Sequence, residues 1–173
     1  ERLTEAKQIE KAKITNFLEE VWKDFRKSKK QDFSESPTTG YEESKLVELA
    51  KKINHLPDGK KYFRKIVKLF DDRLAMLDTD RLDWAMGELL AYATLLEEGF
   101  SVRISGQDVE RGTFSHRHAV VKTEDDEEEV IPLNLLSKSQ GKFDIYNSFL
   151  SEYAVLGFDY GYAFNTPNGL TIW

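Results

Sequence analysis

The chain has 173 residues, which suits one domain or a small domain with an extension, and its 40% hydrophobic and 12% aromatic content is enough for a real core. Its net charge of −6 argues against a nucleic-acid-binding protein, which usually carries a basic stripe. The absence of cysteine excludes disulfides and thiolate chemistry, and no apolar run reaches the roughly 20 residues of a membrane helix. Because the chain begins at Glu1 within a helical pattern and stops at the apolar Trp173, we expect it to be a piece of a longer protein.

The first 80 residues are predicted to be helical, charged and without a candidate site. A long amphipathic helix is predicted over residues 4–29, because apolar residues recur at helical spacing beside a lysine-rich face. Those apolar residues are Ile14, Phe17, Leu18, Val21, Trp22 and Phe25. A loop is predicted at residues 31–40, followed by a helix with apolar positions between residues 46 and 53. A turn at residues 56–59 then precedes a third helix, with apolar positions between residues 63 and 74.

From about residue 80 the pattern changes to alternating helices and strands. One apolar helix is predicted between Asp83 and Gly99. Asp83 is a suitable N-cap, and Gly99 is a suitable residue just after the C-terminal end of the helix. Residues 100–105 then alternate apolar and polar side chains, which predicts a strand that ends at residues 106–108. Because open α/β sheets bind ligands at the carboxyl ends of their strands, this end is a candidate site.

Two short strands are predicted at residues 118–123 and 130–133, around an acidic turn at residues 124–129. A solvated hairpin tip is the simplest interpretation of that turn, since the alternating oxygen ligands of a calcium loop are absent. A further strand is predicted at residues 143–147, and a last one begins at residue 170. The residues alone therefore predict an α/β half-domain.

Residues 151–164, SEYAVLGFDYGYAF, are predicted to form a helix with one buried face and Ser151 as its N-cap. The recurring apolar and small residues are Leu150, Ala154, Gly157, Phe158, Gly161 and Tyr162. Glycine inside a helix costs about 1 kcal/mol relative to alanine, so Gly157 and Gly161 indicate a close approach by another backbone or a ligand. Glu152 is either an ordinary first-turn charge, the commoner fate of an acidic residue, or a buried functional acid.

Three polar groups are candidates to converge: Gln107 with Asp108, the loop of residues 111–118, and Glu152. A pair of carboxylates, Asp108 and Glu152, would suit a hydrolase, although nothing local identifies a substrate. The chain has no G-x-S-x-G turn for a serine nucleophile and neither a P-loop nor a G-x-G-x-x-G phosphate cradle.

His116 and His118 raise the alternative of a zinc site, because their side chains would share one face of a strand. With no cysteine in the chain, and with His55 in the helical half, carboxylates would have to complete the ligand set. Metal binding is therefore the less favoured interpretation.

Residues 103–120, RISGQDVERGTFSHRHAV, closely resemble the thiamine-diphosphate-dependent 2-oxoglutarate dehydrogenase family, the decarboxylating subunits of the 2-oxoglutarate dehydrogenase complex. The resemblance is strong over residues 82–173 and includes the strings DWAMGELLAYATLLEEG and FLSEYAVLGFDYGYA. It extends weakly over the earlier helices through LPDG and LFDDRLAM.

The resemblance implies that residues 81–173 are the first half of a pyrimidine-binding α/β domain, with an open, mainly parallel sheet and flanking helices. It implies a helical inter-domain linker at residues 1–80. The domain that holds the diphosphate and Mg²⁺ would lie outside this chain, which is therefore expected to be inactive alone and to contain no metal ligand.

For the full-length protein, the resemblance implies an oxidoreductase that decarboxylates 2-oxoglutarate in the tricarboxylic acid cycle, using thiamine diphosphate and Mg²⁺. The partners it implies are a second copy of the subunit and the lipoyl group of dihydrolipoyl succinyltransferase, with neither nucleic acid nor membrane. The expected location is the cytoplasm in bacteria or the mitochondrial matrix in eukaryotes. The alternatives are a 2-oxoadipate-specific dehydrogenase subunit, or a non-catalytic interaction module in which Gly157 and Gly161 form a helix–helix contact.

By resemblance, Glu152 corresponds to the catalytic glutamate that hydrogen-bonds a ring nitrogen of the cofactor's aminopyrimidine, which favours the functional interpretation of this side chain. His118 corresponds to a catalytic histidine near the substrate, where it would hold a carboxylate or serve as acid or base. The residues implied to contact the substrate or to orient the loop behind it are His116, Gln107, Asp108 and Arg111.

Overall fold

The computed structural model describes residues 2–8 and 16–173, and the chain divides into two compact units, Glu1–Ser36 and Pro37–Trp173. None of the helices in the described residues has the length and apolar character needed to cross a membrane.

The first unit contains helix α1, Arg2–Lys7, and a short 3₁₀ helix, Lys30–Phe33. The predicted helix over residues 4–29 is wrong for residues 16–29, which form turns and extended chain. Leu18 has a φ of 56°, which interrupts a helix, and Phe17 is 80% exposed. Because a long helix draws most of its stability from burying its apolar face, the periodicity alone does not stabilise one here. The predicted apolar position at Ile14 lies outside the described residues.

The second unit contains four α-helices, a short 3₁₀ helix and five strands, all within residues described by the structure. The helices are α2 (Glu43–Ile53), α3 (Arg64–Thr79), α4 (Trp84–Glu97) and α5 (Glu152–Asn165). The strands are β1 (Ser101–Gly106), β2 (Val121–Lys122), β3 (Glu129–Val130), β4 (Phe143–Asn147) and β5 (Gly169–Ile172). Strands β4, β1 and β5 form a parallel sheet in that order, and β2 pairs with β3 antiparallel. The predicted α/β fold with a mainly parallel sheet is confirmed.

Local signals determine the ends of α4. The Asp83 side chain accepts a hydrogen bond from the Met86 N–H at 2.7 Å, which satisfies one of the free donors of the first turn. Gly99 follows the helix with a φ of 89°, a conformation that glycine adopts without steric strain. Both predicted boundary residues are confirmed.

The main core lies between the sheet and helices α2 and α4. Its most deeply buried side chains include Leu49, Met86, Leu96, Val102, Ile104 and Phe143. Leu49 belongs to α2, so the core includes a helix from before residue 80. The domain boundary predicted at residue 80 stays a prediction.

The hairpin of β2 and β3 is shorter than predicted, and its acidic turn is exposed, as expected. Strand β2 cannot begin at His118, because His118 has a φ of 44°, in the left-handed region. After β3 the chain enters a 3₁₀ helix at Pro132–Asn134 rather than continuing as a strand to residue 133. His116 and His118 therefore do not share one face of a strand.

Helix α5 exposes the face that its sequence pattern predicts to be buried. Leu150 is 76% exposed and Phe158 is 62% exposed. A Cβ atom added at Gly157 or Gly161 would meet no described heavy atom within 4 Å. The periodicity correctly predicts the helix, but among the described residues this face is only partly covered, by the Arg103 side chain of β1.

A polar contact, which sequence reasoning missed, instead seats α5 on the sheet. Asp159 is the residue of α5 that is buried, at 3% exposure, and it accepts hydrogen bonds from the Ser105 hydroxyl and from Nε of Arg103, the latter at 3.2 Å. The Arg103 guanidinium also lies 4.8 to 5.3 Å from three aromatic ring centroids, those of Tyr146, Phe158 and Tyr162. We call Arg103, Ser105 and Asp159 the β1–α5 anchor.

We expect Asp159→Ala to lower the free energy of unfolding by about 3 kcal/mol, because it leaves the mostly buried charge of Arg103 uncompensated. The control is Asp72→Ala, which breaks the exposed pair of Lys68 and Asp72 and should change stability by less than about 0.5 kcal/mol. Urea unfolding followed by circular dichroism measures both. Equal losses of stability from the two substitutions would contradict the stabilising role of the β1–α5 anchor.

A second prediction separates the two proposed N-caps. Asp83→Ala should lower the free energy of unfolding by about 1 kcal/mol, because it removes the capping bond to Met86. Ser151 makes no side-chain capping bond, which corrects the cap predicted for α5, so Ser151→Ala should change stability by less than about 0.5 kcal/mol. The urea concentrations at which the two variants are half unfolded test this. A larger loss of stability from Ser151→Ala than from Asp83→Ala would contradict the conclusion that Asp83 is a cap and Ser151 is not.

Candidate functional site

The carboxyl ends of the three parallel strands meet at one edge of the sheet. Strand β1 ends at Gly106 and β4 at Asn147, and the next residue, Ser148, donates its N–H to the Gly106 carbonyl at 2.8 Å. In open α/β sheets this edge is where ligands bind.

A cavity of about 250 Å³ opens at this edge. Its lining residues are Gly106, Gln107, Val109, Ser148, Phe149, Leu150, Glu152 and Trp173. Two of the groups predicted to converge, Gln107 and Glu152, therefore lie at the same cavity. A carboxylate among apolar and aromatic side chains is suited to bind a small ligand through apolar contacts and a hydrogen bond.

Glu152 is the first residue of α5 and is exposed in this chain. The partial positive charge at the beginning of a helix favours a carboxylate at this position. The β1–α5 anchor lies two turns further along the same helix, so it helps to fix where the first turn of α5, which carries Glu152, lies on the sheet.

The loop between β1 and β2 is held by its own backbone. The Gly112 N–H donates to the Asp108 carbonyl at 2.8 Å, and the His118 N–H donates to the Arg111 carbonyl at 3.0 Å. The side chains of Asp108 and Arg111 form an ion pair. Gly112 has a φ of 82°, and the His116 ring occupies the space that a Cβ atom there would need. Asp108 and Arg111 thus shape the loop. Neither of these two residues lines the Glu152 cavity.

Two further contacts attach this loop to the domain. Nε and Nη2 of Arg117 bind the carboxylate of Glu88 on α4, and Nη1 donates to the Val109 carbonyl at 2.6 Å. The backbone N–H of Glu110 donates to the Asn147 side chain at 3.1 Å, and the Asn147 N–H donates back to Glu110 at 3.2 Å. Sequence reasoning missed both, since the partners are distant in sequence.

His118 lies at a second cavity, of about 710 Å³. That cavity is lined by Phe63, Arg64, Lys65, Ile66, Leu69, Ser115 and His118. Nε2 of His118 lies 3.1 Å from both the hydroxyl and the carbonyl oxygen of Ser115. Burial lowers the pKa of His118 below its ordinary value, and the positive charge of Arg73 lowers that pKa further. His118 and Glu152 therefore line different cavities in this chain.

His116 is half-buried, and its ring centroid lies 6.3 Å from that of Phe114. Its Nδ1 atom has no hydrogen-bond partner among the described residues. Among all the residues that the structure describes, no three His, Asp or Glu side chains lie close enough together to hold a metal ion.

The chain is similar to 2-oxoglutarate dehydrogenases over most of its length. It is 43% identical over 169 residues to the mitochondrial 2-oxoglutarate dehydrogenase of Caenorhabditis elegans, covering 97% of this chain and 16% of that protein. It is 42% identical over 172 residues to the 2-oxoglutarate dehydrogenase E1 component of Rickettsia felis, covering 96% of this chain and 17% of that protein. With the E1 component of Azotobacter vinelandii the identity is 50% over 136 residues, 78% of this chain and 14% of that protein.

These relatives confirm the resemblance predicted from residues 103–120. The chain spans 14% to 17% of their length. A family pattern, described as the transketolase pyrimidine-binding domain, matches residues 80–173, which contain the parallel sheet, the loop and α5. The chain therefore belongs to the transketolase pyrimidine-binding domain family.

Proposed function

We propose that this chain is part of a 2-oxoglutarate dehydrogenase decarboxylating subunit, an oxidoreductase of the tricarboxylic acid cycle. In this proposal residues 81–173 are the first part of the pyrimidine-binding domain, and residues 1–80 are a helical inter-domain linker. The family match and the names of the relatives support it. The observation that carries it is the position of the Glu152 carboxylate in a cavity at the carboxyl edge of the parallel sheet.

The cavity fits the aminopyrimidine of thiamine diphosphate. Phe149, Leu150 and Trp173 offer apolar surface for a flat ring, and Glu152 and Gln107 offer the polar atoms for its nitrogens. When bound with Mg²⁺, this cofactor supplies the electron sink that decarboxylation of a 2-oxo acid requires. The Mg²⁺ and diphosphate ligands are proposed to lie outside this chain.

The role proposed for Glu152 is to share a proton between its carboxyl oxygen and a ring nitrogen of the aminopyrimidine. The apolar lining of the cavity strengthens this hydrogen bond once water is excluded. In this way a carboxyl group of the chain controls the protonation of the ring.

The role proposed for His118 is to hold a carboxylate of the 2-oxo acid or to exchange a proton with it. Its lowered pKa favours the neutral ring, in which one nitrogen donates a hydrogen bond and the other accepts one. Arg64 and Lys65, which line the same cavity, provide positive charge that attracts a dicarboxylate. The residues proposed to shape the surrounding loop, or to contact the substrate from it, are His116, Gln107, Asp108 and Arg111.

In the full-length protein we propose a homodimer that passes a succinyl group to the lipoyl group of a dihydrolipoyl succinyltransferase, in the bacterial cytoplasm or the mitochondrial matrix. A 2-oxoadipate-specific subunit is the nearest alternative, and competition between the two acids in the full-length protein distinguishes them. A non-catalytic interaction module is the second candidate, favoured by the exposed side chains of Phe149 and Tyr153, which are 90% and 93% accessible.

We expect Glu152→Gln in the full-length protein to lower turnover at least about 100-fold, because a proton-transferring group contributes that much or more. The assay is reduction of ferricyanide that depends on 2-oxoglutarate. The control is Glu129→Gln, an exposed acid of the hairpin paired with Lys122, which should leave turnover unchanged. Unchanged turnover in Glu152→Gln would support the interaction module instead.

The 173-residue chain alone should show no such turnover with thiamine diphosphate and Mg²⁺ added, since it spans 14% to 17% of its relatives. The same ferricyanide assay, run beside the full-length protein, measures this. Turnover by the isolated chain would refute the division of the cofactor site between this chain and the rest of the protein.

A further inference from the structure

Arg73, on α3, is a buried cation whose hydrogen bonds go to backbone atoms. It is 1% exposed, and its Nη2 atom donates to the carbonyls of His116 and Arg117, each at 2.7 Å. Its Nε atom has no hydrogen-bond partner among the described residues. Burial lowers the pKa of the Arg73 guanidinium, against the charge of Asp83, which raises it.

Burying a charge costs free energy, and a paired carboxylate usually offsets that cost. Here the guanidinium instead holds two successive peptide groups, the second of which joins Arg117 to His118. His118 itself has a φ of 44°, a conformation that persists only when its surroundings hold it. The contact with Arg73 is therefore placed where it fixes the backbone that carries the imidazole.

We propose that Arg73 is a positioning residue for His118: by holding the carbonyls of His116 and Arg117, it sets where the His118 imidazole lies in its cavity. This rests on the proposed function, in which His118 contacts the 2-oxo acid. Arg73 does not itself line that cavity.

The charges that act on the imidazole from helix α3 and from the loop are basic, although Asp108 pairs with Arg111 and Asp83 acts on Arg73. Helix α3 contributes Arg73 beneath the loop and Arg64 and Lys65 at the cavity wall, and the loop contributes Arg111 and His116. Burial is the largest cause of the lowered pKa of His118, Arg73 is the second, and the Ser115 carbonyl opposes both. Arg73 thus affects both the position and the protonation of His118.

The test is nuclear magnetic resonance of the 173-residue chain, with the His118 imidazole titrated and the amides of residues 116–118 recorded. Arg73→Met should raise the pKa of His118 toward its ordinary value of 6.5 and shift those amides. Arg73→Lys keeps the positive charge but lacks the planar set of N–H donors of a guanidinium. It should therefore shift the amides while changing the pKa of His118 less than Arg73→Met does. Arg64→Met, the matched control, removes an exposed arginine of the same cavity and should leave the amides unchanged.

The proposal is overturned if folded Arg73→Met leaves the pKa and the amides as in the unsubstituted chain, or if Arg64→Met shifts the amides as much. Should Arg73→Met not fold, Arg73→Lys decides: shifted amides support the proposal and unchanged amides overturn it. The measurement needs no cofactor or turnover, so its result is separate from that of Glu152→Gln. In the full-length protein, Arg73→Lys should then alter the pH profile of kcat/KM, which a purely structural role would not move.

Discussion

The contact between the Asp159 carboxylate and the Arg103 guanidinium determines how α5 lies on the sheet. A helix is usually seated on a sheet by its apolar stripe, but here that stripe is exposed and the buried residue is an acid. The aromatic rings around Arg103 and the hydroxyl of Ser105 complete the partners that make a buried charge tolerable. The position of Glu152, on the first turn of the same helix, depends on this polar contact.

A second set of cationic contacts organises the loop that follows β1. Arg117 ties the loop to α4 through Glu88, and Arg73 ties it to α3 through two carbonyls. The hydrophobic periodicity of the sequence marks both arginines only as polar residues and does not predict their partners. The two cavities at the ends of this loop, one with Glu152 and one with His118, are therefore positioned by buried or half-buried charges as well as by the apolar core.

The sequence predicts what depends on neighbours along the chain. The Asp83 cap, the Gly99 stop and the strand at residues 143–147 need only local patterns, and the meeting of Gln107 with Glu152 needs only the rule that parallel strands end together. The sequence does not predict which face of α5 is covered, because a stripe of apolar residues does not identify its partner. The partners of Asp159 and Arg73 lie more than 40 positions away in the sequence, and no local period encodes them.

The measurement that tests the central claim most directly is an experimental structure of the full-length protein with thiamine diphosphate and Mg²⁺ bound. The account predicts a Glu152 carboxyl oxygen within hydrogen-bonding distance, about 2.6–3.2 Å, of a pyrimidine ring nitrogen. A Glu152 side chain directed into bulk solvent, with the pyrimidine held by other residues, would contradict it.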